Sequence, residues 1–158
     1  MSNSKKKLQR EPEDFLSDLK FFKSNKLSVN QSVAYFAGLS FEIVLNKQIF
    51  SRNSDLEVFI NEVFLKHNPN PEDQTFKPYL YKSRTQLGAR LSRNILDNFD
   101  YSVVKQISTE IEQILIEMFP DIKKSNKSIN QGSFSSNVAS WISVITESNS
   151  QKEDTDNG

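Results

Sequence analysis

SDLEVFINEVF, residues 54–64, sets Leu56, Phe59, Ile60, Val63 and Phe64 at i, i+3, i+4, i+7 and i+8. That spacing gathers apolar side chains into one stripe of an α-helix, whereas a half-buried strand alternates apolar and polar residues one by one. Ser54 and Glu57 stand at capping-box spacing, where each side chain satisfies the other's backbone N–H, so the helix is predicted to open there.

The same period continues on both sides. Towards the N-terminus, Pro12 suits a first helical turn, and Glu13 and Asp14 suit the positive end of a helix macrodipole. Phe15, Leu19 and Phe22 share one face, which Ser24 and Asn25 close. Ser28 and Gln31 repeat the capping-box spacing. Behind them Val29, Val33, Phe36, Ala37, Val44, Leu45, Ile49 and Phe50 are apolar on more than one face, which predicts a central helix. Towards the C-terminus, Pro69, Pro71 and the asparagines make residues 67–77 a loop. A fourth helix is predicted over 78–98, with Leu80, Leu87, Leu91 and Ile95 on its inner side. A fifth is predicted from an N-cap at Asp100 to Phe119, carried by Val104, Ile107, Ile111, Ile114 and Met118. Its Glu110, Glu112 and Glu117 oppose the fourth helix in charge, so the two are expected to pair.

No alternating run of strand length occurs, and the fold class is all-α. The chain reads as a single compact bundle of about five helices plus a short C-terminal helix after a flexible linker. The expected boundaries are a disordered basic arm over 1–10, a helical domain over 11–119, a linker over 120–132, an amphipathic helix over 133–146 and a disordered acidic tail over 147–158. Phenylalanine dominates the aromatics, 12 against one Trp and four Tyr, and a phenyl ring fills a core without needing a hydrogen-bond partner.

Composition excludes several kinds of chemistry. With no cysteine there is no disulfide, thiolate metal site or cysteine nucleophile. Lys5, Lys6, Lys7 and Arg10 are followed by no apolar signal region, and no apolar run approaches the roughly 18 residues of a membrane span. A cytoplasmic protein with no membrane partner is therefore expected. Cations and acids balance at 20 each, so no global field draws in nucleic acid or an acidic surface. His67 is the sole histidine, and no Gly-x-Ser-x-Gly elbow offers it a nucleophile to activate. Gly38, Gly88, Gly132 and Gly158 are too scattered to form a phosphate-cradling loop. The carboxylate pairs Glu13–Asp14 and Glu72–Asp73 fit a helix start and a solvated loop, and the Glu-x-x-His element of di-iron bundles is absent. No catalytic, cofactor-binding or metal-binding residue is predicted, no cofactor is expected, and the chain is not read as an enzyme.

Binding features remain. Arg84 falls among Leu80, Leu87, Leu91 and Ile95, so its guanidinium reaches water past the core edge, forms a buried ion pair, with Glu117 or Glu42 as the candidate carboxylates, or contacts an anion. Lys82, Gln86, Arg90 and Arg93 lie towards the outside of the same helix, with Tyr79 and Tyr81 close by, a pattern suited to phosphates and stacked bases. Residues 30–46, with Ala34, Gly38, Ser40 and Val44, resemble a helix-turn-helix in their spacing, although Phe41, Leu45 and Ile49 are unable to read base edges. Phe134, Val138, Trp141, Ile142 and Ile145 form a stripe able to fill a partner's groove. The expected function is that of a non-enzymatic helical accessory or adaptor protein, binding a protein partner or its own copy within a larger assembly. The alternative is a nucleic-acid-binding module.

Overall fold

Six helices follow one another in the computed structural model, which describes residues 10–123. They are α1 (Pro12–Phe22), α2 (Val29–Leu45), α3 (Asn53–Val63), α4 (Arg84–Asn98), α5 (Tyr101–Met118) and the single turn α6 (Pro120–Lys123). Three 3-10 turns, Leu65–His67, Pro71–Asp73 and Pro78–Lys82, lie between α3 and α4, and no strand occurs among the described residues. The fold is all-α. The arm over 1–9, most of the linker, the stripe from Phe134 to Ile145 and the tail lie outside the described residues.

The caps explain where α2, α4 and α5 start. Ser28 accepts a hydrogen bond from Gln31 N at 3.2 Å, and Gln31 accepts one from Ser28 N at 3.0 Å, the reciprocal box expected for α2. Asp100 caps α5 through Val103 N at 3.0 Å. At α3 the expected Ser54–Glu57 box does not form. The N-cap lies two residues earlier, at Arg52, so the helix begins at Asn53, and Asp55 in its first turn is buried against Arg52 at 3.0 Å. The predicted helix over 78–98 is broken at Ser83, whose extended backbone makes it the N-cap of α4, accepting from Gln86 N at 3.3 Å. Ser83-x-x-Gln86 is the same local signal as Ser28-x-x-Gln31, and it divides a 3-10 turn from an α-helix.

α2 is the central element, packing most closely on α4 and also on α1 and α5. Its buried Phe36, Ala37, Leu39, Ile43 and Val44 meet three neighbours at once, which is why its apolar residues cover several faces. Through the core runs a chain of phenyl rings. Phe22–Phe36, Phe36–Phe64, Phe64–Phe59 and Phe59–Phe50 have centroids 5.5, 6.2, 5.5 and 4.5 Å apart, in tilted and edge-on arrangements that suit the ring quadrupole. α2 stops at Leu45 because the Asn46 side chain takes over the backbone, accepting from Gln48 N and Ile49 N at 3.0 and 3.1 Å. Ile49 and Phe50, read as helical, are buried in the connection instead.

Two further departures concern ends and pairs. Pro120–Lys123, read as the start of the linker, forms α6 and buries Ile122 beside Leu16 and Ile116. The acids of α5 do not pair with α4: Glu112 lies 2.9 Å from Lys23, the C-cap of α1, and Glu110 lies 3.7 Å from Lys66 beyond α3.

Candidate functional site

The polar groups inside the fold mainly hold the chain in place. Asn68 and Asn94, both buried, exchange a reciprocal amide pair at 2.9 and 3.1 Å, and Asn68 also donates to the Asp73 carbonyl at 2.6 Å. This clamp fixes the 65–77 connection to α4. Neither asparagine is distinguished in the sequence, because the pair joins residues 26 positions apart.

Arg84 is neither ion-paired nor free. Its Nε donates to Asn53 Oδ1 at 3.0 Å, one Nη to the Val44 carbonyl at 3.2 Å and the other to the Phe50 carbonyl at 2.5 Å. The expected partners are elsewhere: Glu42 holds Arg10 at 2.9 Å, and Glu117 is exposed. Arg84 thus satisfies a carbonyl in the last turn of α2, where a cation also meets the negative end of the helix. Burial holds its pKa below the ordinary value, partly offset by Asp55.

Arg10, read as the end of a disordered arm, is an anchor. It bonds Asp18 and Glu42, lies 4.7 Å over the Phe15 ring, and offers its carbonyl to Asn46 Nδ2 at 2.8 Å. Burial lowers its pKa, and the two carboxylates more than offset this, for a net rise.

On the outer side of α4, Gln86, Arg90 and Arg93 are exposed, and Lys82 is exposed in the turn before it. Tyr79 joins them at 58% exposure. Tyr81 does not: it is 7% exposed, its hydroxyl finds no partner among the described residues, and burial with the nearby Glu57 charge pushes its pKa up to about 12. The two tyrosines point to opposite fates because a 3-10 turn sets residues two apart on different sides.

Residues 30–46 do not form a helix-turn-helix. All but Asn46, the C-cap, lie in α2, which runs unbroken through Gly38, and the backbone there keeps a negative φ. Gly38 is exposed, and a Cβ placed on it would meet nothing within 4 Å among the described residues. The close approach occurs at Gly88, where a Cβ would come within 3.0 Å of the Phe41 ring. The exposed positions of α2 are Val29, Asn30, Gln31, Ala34, Gly38, Glu42 and Leu45, and the only formal charge among them, Glu42, is engaged by Arg10.

His67 sits in the turn after α3, its ring edge-on to Phe99 at 6.3 Å, and burial followed by the Lys66 charge holds its pKa below the ordinary range. Among the described residues no three His, Asp or Glu side chains converge to hold a metal ion, and no helix is long and apolar enough to cross a membrane. An open hollow of about 440 Å³ lies between the start of α1 and the α5–α6 junction, floored by Pro12, Met118 and Ile122. None of the residues singled out from the sequence as a binding candidate lines it. Comparison with protein-family models, with curated proteins and with solved structures gives no match to this chain.

Proposed function

We propose that this chain is a non-enzymatic helical accessory or adaptor protein of the cytoplasm, whose work is to bind a protein partner, or a second copy of itself, within a larger assembly. The observation that carries this reading is the outer face of α2. From Val29 to Phe41 its exposed and half-buried positions bear no formal charge, in a chain of which 25% is charged. Depletion of charge, rather than bulk hydrophobicity, is what marks the core of a protein interface. Gly38 adds to the argument, since an exposed glycine within a helix is destabilising and nothing among the described residues occupies the space beside it. A partner helix would approach closely there. Phe134, Val138, Trp141, Ile142 and Ile145 offer a second candidate contact in the same reading.

Affinity capture and light scattering on the full-length chain test this, with Ala34→Glu and Gly38→Arg set beside a truncation lacking residues 133–158. Association lost in the α2 variants, with a thermal melt no lower than the parent's, is expected. Association that survives both α2 variants refutes this face as the docking site, and its loss on truncation alone moves the site to the C-terminal stripe.

A further inference from the structure

Charge is unevenly spread over the described surface. From Gln74 to Leu96 the chain carries Lys77, Lys82, Arg84, Arg90 and Arg93 and no carboxylate, although its cations and acids balance overall. Arg84 turns inward to carbonyls, which leaves the other four exposed along the 3-10 turn and α4. None of the four takes part in an ion pair among the described residues, where the pairs use Arg10, Lys23, Arg52 and Lys66. The acids of α5 that were placed to neutralise α4 by sequence order face Lys23 and Lys66 instead.

The order of charges also runs against the dipole of α4. Lys82 and Arg84 stand at its positive end, the first turn holds no acid, and Asp97 sits in the last turn. Stability of the monomer favours the reverse order, acids first and cations last. The field of the helix end therefore adds to that of Lys77 and Lys82. Two aromatic groups complete the strip. Tyr79 is open to solvent, and the Arg90 guanidinium lies 5.3 Å over the buried Phe76 ring, so part of the ordering that binding requires is already met.

We infer that this strip binds the backbone of a single-stranded nucleic acid, with Lys82, Arg90 and Arg93 on phosphates and Tyr79 stacked on a base. It lies on a different helix from the α2 face and stands or falls without it. A single strand is favoured because an open tyrosine ring has a use against an unpaired base. With Arg90 and Arg93 on phosphates, Gln86 is the one amide left exposed on α4 to read the base edges of a duplex.

Fluorescence anisotropy with a labelled mixed-sequence single strand, titrated with the full-length protein, tests the inference at about 50 and 200 mM salt. Three phosphate contacts at about −0.7 each predict a log–log slope near −2, hence a loss of roughly 20-fold in affinity across that range. Arg90→Glu with Arg93→Glu is expected to lose at least tenfold, while Lys105→Glu on the exposed side of α5 changes affinity less than twofold. Tyr79→Ala is expected to weaken single-strand binding several-fold and Tyr79→Phe to preserve it. Circular dichroism of each variant checks that the fold persists, and Arg90→Gln with Arg93→Gln serves if charge reversal unfolds it. Absence of salt-sensitive binding overturns the inference, as does equal loss with Lys105→Glu. Tighter binding of duplex, indifferent to Tyr79→Ala, overturns the single-strand assignment, and equal binding of poly-glutamate shows a dock for acidic protein instead.

Discussion

Replacing Arg84 by alanine removes one donor group from three acceptors: Asn53 Oδ1 at 3.0 Å, the Val44 carbonyl at 3.2 Å and the Phe50 carbonyl at 2.5 Å. Hydrogen bonds to a charged group contribute about 1.5–3 kcal/mol net each, and a carbonyl left unmet in a buried site costs about 1–3 kcal/mol. Water reaches part of this site, so the three do not add in full. We expect Arg84→Ala to cost about 3 kcal/mol, which at this chain length lowers Tm by roughly 9 °C. Arg84→Lys keeps the charge but reaches fewer acceptors, and recovers less than half of the loss. Urea unfolding followed by circular dichroism measures both. A double-mutant cycle then assigns the partner: Arg84 with Asn53 shows coupling of about 1 kcal/mol, while Arg84 with Glu42 or Glu117 is additive within about 0.5 kcal/mol. A loss below about 1 kcal/mol for Arg84→Ala, or stronger coupling to either glutamate than to Asn53, refutes this account of the helix end.

The two helical glycines respond with opposite signs. Gly38→Ala stabilises by about 0.5–1 kcal/mol, because its Cβ meets nothing, while Gly88→Ala destabilises by pressing on the Phe41 ring, and thermal melts of the pair give the comparison. Tyr81→Phe removes a buried hydroxyl without a partner among the described residues, so its stability is unchanged or raised by up to about 1 kcal/mol in urea unfolding. His67 has a lowered folded pKa through burial and then the Lys66 charge, so its contribution is present above about pH 6.5 and lost as pH falls through the folded value. His67→Gln therefore flattens the stability loss between about pH 7 and 5. Glu110 is raised, chiefly by burial, so its contribution is lost as pH rises through its folded value, and Glu110→Gln holds more of its stability than the parent on that side. Denaturation midpoints across pH decide both signs.

Helical class and core were legible because apolar period is a local property. Leu56, Phe59, Ile60, Val63 and Phe64 are all buried, as are Leu80, Leu87, Leu91 and Ile95. The greasy faces of α2 were legible as centrality. What was missed depends on contacts between distant residues or on competition between local signals. Asn68 with Asn94, and Arg84 with the end of α2, join segments that no periodicity relates. At α3 the Ser54–Glu57 spacing lost to Arg52–Asp55, which buries a carboxylate two residues out of step. The break at Ser83 was readable from Ser83-x-x-Gln86, but the apolar repeat from Leu80 to Ile95 runs across it. Gly38 looked like a turn because glycine permits one, yet permission is not a requirement, and the helix passes through it.

α2 and α4 are packed neighbours, joined where Gly88 receives the Phe41 ring and where Ser92 Oγ donates to the Ala37 carbonyl at 2.8 Å. The two proposed surfaces are thus the outer sides of one helix pair that share a seam. Gly88→Ala is the perturbation that separates structure from recognition. If it weakens protein association and strand binding in parallel with its loss of stability, both surfaces depend on the seating of α4 on α2. If it destabilises the fold while strand binding in the folded fraction is unchanged, the cations act through local charge alone. The second outcome is expected, because Arg90 is held by Phe76 rather than by α2, and because phosphate contacts tolerate small displacements that a packed helix interface does not.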